Sequence, residues 1–94
     1  MDKTNATHKT KLVTNEFEGF SIEVVKNKKE ISATNEIFYR YTVVYIDKRD
    51  NDVAYLVGNS PTKKEMEIKL KEIQARYPKA KIVRYSRGNV IAEN

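Results

Sequence analysis

A single segment of this chain carries a helical apolar period, and that limits the folds open to the rest. Met66, Leu70, Ile73 and Tyr77 recur at i, i+4, i+7 and i+11, which places them on one helical face. The start is signalled twice. Ser60 as N-cap puts Pro61 at the first helical position, while Thr62 as N-cap places Glu65 for a capping box. Pro78 disfavours helical geometry at Tyr77, so the helix is expected to end about there, with Ile68 and Ala75 on its opposite, exposed side. One helix covers one face of a sheet, and the other face must meet solvent, the N-terminal segment or a partner.

The remaining apolar residues have strand periods. Phe20, Ile22 and Val24 alternate with Ser21 and Glu23, and Leu12 and Val13 open an earlier strand that turns near Glu18 and Gly19. Lys26 to Glu30 reads as a polar turn, and 31–35 as loop. Ile37 to Ile46, rich in β-branched and aromatic residues, gives the strongest strand signal and predicts the central strand. Asp47 to Asp52 supplies turn chemistry, and Val53 to Val57 returns as the hairpin partner, closed by Gly58 and Asn59. Lys81 to Tyr85 reads as the last core strand. Ser86 to Asn89 is a turn, after which Val90 and Ile91 either return as a short strand or begin a tail.

The expected fold is therefore α+β: an antiparallel sheet, a three-stranded meander plus a C-terminal strand, packed on one face by a single α-helix in the order βββαβ. Residues 1–11 read as a flexible N-terminal tail and 12–92 as a single α+β domain, since 94 residues hold one core. Along the expected central strand, Phe38, Arg40, Thr42, Val44 and Ile46 face one side and Ile37, Tyr39, Tyr41, Val43 and Tyr45 the other. Turn register decides which side the helix covers.

The inventory excludes several chemistries. With no cysteine and one histidine, His8 in the expected tail, the chain lacks a disulfide, a thiolate nucleophile, a His-based triad and zinc's usual ligand set. The three glycines, Gly19, Gly58 and Gly88, are far apart, so no phosphate-binding glycine loop occurs. Asp47, Asp50 and Asp52 with Asn51 form a dense carboxylate turn, but the spacing matches no calcium loop and Lys48 and Arg49 oppose a cation. No enzyme, metal or cofactor is expected. No apolar run is long enough for a signal peptide or a membrane span, and an intracellular, cytoplasmic protein is expected.

Charge points to a partner. Residues 61–94 carry nine Lys or Arg against four acids, so the whole excess of the +5 chain lies in its last third. Arg76 to Asn89 interleaves five basic residues with two tyrosines, a mixture suited to phosphates and to base stacking. Arg76, Lys79, Lys81, Arg84 and Arg87 are the expected phosphate contacts, with Tyr85 and Arg40 as base or backbone contacts. Along the helix Lys63, Lys64, Lys69, Lys71 and Arg76 do not fall on one face by helical spacing, and with Glu65, Glu67 and Glu72 among them they read as a solvated surface. The rival reading is a protein-binding inhibitor or accessory protein of mobile-element or phage type. It would dock through a tyrosine face of Tyr39, Tyr41, Tyr45 and Tyr55, which also suits a homodimer, or through a sheet edge.

The stretch from Tyr39 to Tyr77, an aromatic and β-branched hairpin followed by Ser-Pro-Thr-Lys-Lys-Glu and a helix, resembles the arm-binding domains of tyrosine-type integrases. Those domains read DNA with a sheet face. The likeness spans under half of the chain and transfers no site residue.

Overall fold

Asn35 redirects the most β-prone stretch of the chain. In the computed structural model, which describes residues 9–93, its side-chain oxygen accepts the Ile37 N–H at 3.0 Å and its carbonyl accepts the Phe38 N–H at 3.1 Å. Ile37–Arg40 consequently winds into a one-turn helix, α1, and the strand expected from Ile37 begins only at Val43. Local Asn chemistry outweighs strand propensity here because propensity acts through sheet neighbours, whereas the Asn35 side-chain turn closes within three residues.

The other elements are β1 (Lys9–Leu12), β2 (Gly19–Asn27), β3 (Val43–Lys48), β4 (Val53–Ser60), α2 (Lys63–Gln74), β5 (Lys81–Ser86) and β6 (Asn89–Glu93). They form one six-stranded mixed sheet in the order β1-β3-β4-β2-β5-β6. The α+β class and the single packing helix longer than one turn agree with expectation; the meander does not. β2 pairs antiparallel with β4 and β5 rather than with β3, and β1 runs parallel to β3. The central strands are thus β2 and β4. β2 and β3 run in the same direction with β4 between them, which demands a crossover, and residues 28–42 with α1 supply it. α2 makes the corresponding crossover from β4 to β5 around β2. From β2 to β5 this is the split β-α-β-β-α-β connectivity known as ferredoxin-like.

β1 includes Lys9 to Lys11, three residues of the stretch read as tail. The rest of that stretch, with His8, lies outside the described residues.

Both helices pack on the same face. Ile37 and Phe38 of α1 and Met66 and Ile73 of α2 meet Ile22, Val44, Tyr55, Val57 and Ile82, while Leu70 and Tyr77 close the margin. Ile68 and Ala75 are exposed, as the helical stripe predicts. α2 starts at the later of its two signals, after Thr62, and Ser60 assists: its hydroxyl accepts the Thr62 N–H and donates to the Glu65 carboxylate.

The opposite face is covered by the chain itself. Val13 and Phe17 pack on Ala54, Leu56, Val83 and Tyr85, with Tyr45 and Val90 alongside. The two-residue β5–β6 turn fixes this cover: Arg87 and Gly88 both have positive φ, and the Gly88 N–H donates to the Phe17 carbonyl at 2.9 Å. A Cβ on Gly88 would overlap the Thr14 carbonyl.

Candidate functional site

Strand alternation scatters the basic segment that the sequence brings together. On β5, Lys81 pairs with Glu23 and Tyr85 with Gly19, whereas Arg84 pairs with Phe20 on the helix side. Arg84 lies 5.4 Å above the Phe20 ring. Lys79 is exposed in the turn after α2, and Arg87 sits in the β5–β6 turn, where its N–H donates to Glu18 Oε2 at 2.7 Å. Lys81 Nζ donates to Glu93 Oε1 at 2.6 Å and lies 3.9 Å from Glu23 Oε2.

Tyr85 is 1% exposed and unable to stack on a base, which corrects its expected role. It belongs to a polar cluster on the sheet face away from the helices. Its hydroxyl donates to Asp47 Oδ2 at 2.7 Å, the same oxygen that accepts Arg49 Nε at 2.9 Å, and Arg49 Nη2 donates to the Tyr85 oxygen at 3.0 Å. Glu23, 6% exposed, contributes a carboxylate oxygen 3.6 Å from Arg49, within ion-pair but not hydrogen-bond distance. Asp52 holds one at 3.8 Å. Burial first, then the hydrogen bond to Asp47, holds the Tyr85 phenol well above its usual pKa. Every cation here is matched by buried carboxylate, so the cluster stitches the 49–52 turn to the sheet. It also removes the expected open binding face, because a sheet that stacks bases needs exposed rings on its central strands. β2 and β4 present Ser21, Glu23, Ala54 and Leu56 there.

The expected tyrosine face does not exist either, because Tyr39 and Tyr41 are not on a strand. Tyr55 is 1% exposed in the helix-side core, edge-on to Phe38, and its hydroxyl accepts the Ile31 N–H. Tyr45 lies under Phe17 on the other face, with ring centroids 4.9 Å apart. Tyr39 is 59% exposed on α1, and Tyr41 caps that helix.

Two expected site residues do converge. Arg40 at the end of α1 and Arg76 just beyond α2 line a groove of about 550 Å³ with Tyr41, Lys69, Glu72, Ile73 and Ala75. That volume falls within the range of ligand clefts. Glu36 joins the two arginines: its Oε2 is 3.7 Å from Arg40 Nε and 3.8 Å from Arg76 Nη1, and it accepts the Tyr77 hydroxyl at 3.0 Å. The ring of Tyr41, which lines the groove, lies 6.3 Å from that of Tyr77. Burial is the main cause that raises both tyrosine pKa values, so both hydroxyls are neutral donors at physiological pH. Arg40, Arg76 and Glu36 are about half exposed, and such ion pairs are worth about 1 kcal/mol or less each.

Lys69 lines the groove although the sequence reads it as solvated helix surface, and Glu36 bridges the two arginines at its margin. Their spacings carried the signal: Glu36 and Arg40 stand at i, i+4, and Lys69, Glu72 and Arg76 at i, i+3, i+7. Among the described residues no group of three His, Cys, Asp or Glu side chains could hold a metal ion, and no helix is long and apolar enough to cross a membrane. Comparison with protein families, curated proteins and solved structures finds no match to the chain.

Proposed function

We propose that the protein is a non-catalytic binding module that takes nucleic acid in the groove between α1 and α2. The observation that carries this reading is the convergence of Arg40, Lys69 and Arg76 on one concave surface beside Tyr41. Guanidinium groups match phosphate geometry, and a tyrosine ring beside them gives a base a surface to stack on. The C-terminal strand contributes little to this role, because its basic residues point to different sides and Lys81 is already paired. Arg76 is the one member of the basic segment that reaches the groove.

Binding of labelled single-stranded DNA and RNA tests the reading. Arg40→Ala and Arg76→Ala are each expected to weaken binding about tenfold, the scale of one charge-assisted phosphate contact. Arg84→Ala should leave it unchanged. Affinity should fall as salt rises, through counterion release. Loss of binding with Arg84→Ala or Arg87→Ala, and none with the groove variants, would return the site to the C-terminal hairpin.

A further inference from the structure

The groove's two arginines already share a carboxylate, and that restricts which phosphate gains by displacing it. Glu36 Oε2 stands 3.7 Å from Arg40 Nε and 3.8 Å from Arg76 Nη1, where an oxygen of a phosphate bridging the two guanidiniums would lie. Both contacts are longer than hydrogen bonds, and all three side chains are about half exposed, so the carboxylate is loosely held. Only its acceptance of the Tyr77 hydroxyl, at 3.0 Å, has hydrogen-bond length. Glu72 is the acid of the lining itself, and with Glu36 beside the arginines the three cations are left in slight excess.

Displacement of Glu36 by an internal phosphodiester exchanges one negative charge for another, with no Coulombic gain at the arginines. A phosphate monoester carries about −1.5 to −2 at pH 7 and three terminal oxygens. It meets both guanidiniums and still has charge for the Lys69 ammonium on the same groove. The surroundings point the same way. Lys79, Arg84 and Arg87 lie on β5 or in the turns flanking it and do not line the groove, so they do not extend it into a track for a strand backbone.

We infer that the groove selects a terminal phosphate monoester, at the end of a nucleic-acid strand or on a free nucleotide, over internal phosphodiesters. Glu36 sets that preference as a resident counter-ion. The inference rests on the groove being the ligand site proposed above.

The test compares oligonucleotides of one sequence carrying a 5′-phosphate, a 3′-phosphate or hydroxyls at both ends, with a nucleoside 5′-monophosphate as competitor. The wild-type protein should bind one of the phosphorylated strands about tenfold more tightly than the hydroxyl strand. Glu36→Gln keeps an acceptor for Tyr77 and removes the charge. It should strengthen binding of the hydroxyl strand most and reduce the preference to about threefold or less. An unchanged thermal midpoint would exclude a folding effect. Competition by the mononucleotide at the concentration of the phosphorylated strand would identify a free nucleotide as the source; weaker competition would identify a strand end. Equal affinity for phosphorylated and hydroxyl strands, with binding still sensitive to Arg76→Ala, would overturn the end selectivity and leave the groove intact. A preference unaltered by Glu36→Gln would remove Glu36's role. A preference that survives Arg40→Ala and Arg76→Ala, or no binding at all, would overturn the groove reading and this inference together.

Discussion

The molecule builds arginine, carboxylate and tyrosine into two clusters, and burial gives them opposite consequences. On the sheet face, Arg49 and Tyr85 meet at one Asp47 oxygen at hydrogen-bond distances, with buried Glu23 alongside. In the groove, Arg40 and Arg76 approach one Glu36 oxygen at ion-pair distances, half in water. The first arrangement leaves no guanidinium free to leave its carboxylate, because desolvated charges cannot be separated without large cost. The second holds its arginines loosely enough to exchange partners. Residue type alone therefore does not mark a site; solvent access does.

The largest effect expected is on stability, at Arg49. Arg49→Met leaves Asp47 without its cation and Glu23 with Lys81 alone, and should cost about 3 kcal/mol in urea unfolding, the scale for breaking a buried pair. A loss below about 1 kcal/mol would mean that the sheet cluster is as loosely held as the groove. Next comes Tyr85→Phe, which removes the hydroxyl joining Asp47 to Arg49 and should cost about 1 to 2 kcal/mol. The same substitution sharpens the contrast through pH. The folded Tyr85 pKa is raised, so its contribution is complete below the unfolded value, about 10, and is lost as pH rises toward the folded one. Tyr85→Phe should flatten the alkaline fall in stability more than Tyr41→Phe does, and an equal effect of the two would undo the distinction between the clusters. The smallest effect belongs to Arg76→Ala, which should change stability by about 0.5 kcal/mol or less while weakening ligand binding. A larger destabilisation would make the groove arginines structural.

The amphipathic stripe of α2 was legible because it depends on local spacing: Met66 and Ile73 are buried and Ile68 is exposed, as the periodicity requires. The Arg87-Gly88 turn and the start of β4 were legible for the same reason, although β4 runs on to Ser60 through Gly58 and Asn59, which were expected to close it. The course of Ile37 to Tyr41 was not, since a β-rich composition and a side-chain turn at Asn35 compete, and the turn prevails. Of the expected nucleic-acid contacts, Arg40 and Arg76 reach one groove although they lie far apart in sequence, whereas neighbours such as Arg84 and Tyr85 separate across the sheet. A strand sends side chains an odd number of residues apart to opposite faces, so Lys81 and Arg84, three apart on β5, do not share a surface.

By itself the sequence determined the class of the fold, the one long packing helix and the absence of cysteine, because composition and short-range periodicity are properties of the chain alone. Tertiary structure decided the strand order, the closing of the second sheet face by Phe17 and the partner of each arginine. Those depend on which distant segments meet: Glu36 beside Arg76, and Asp47 beside Tyr85, are neighbours only once the crossovers through α1 and α2 have closed.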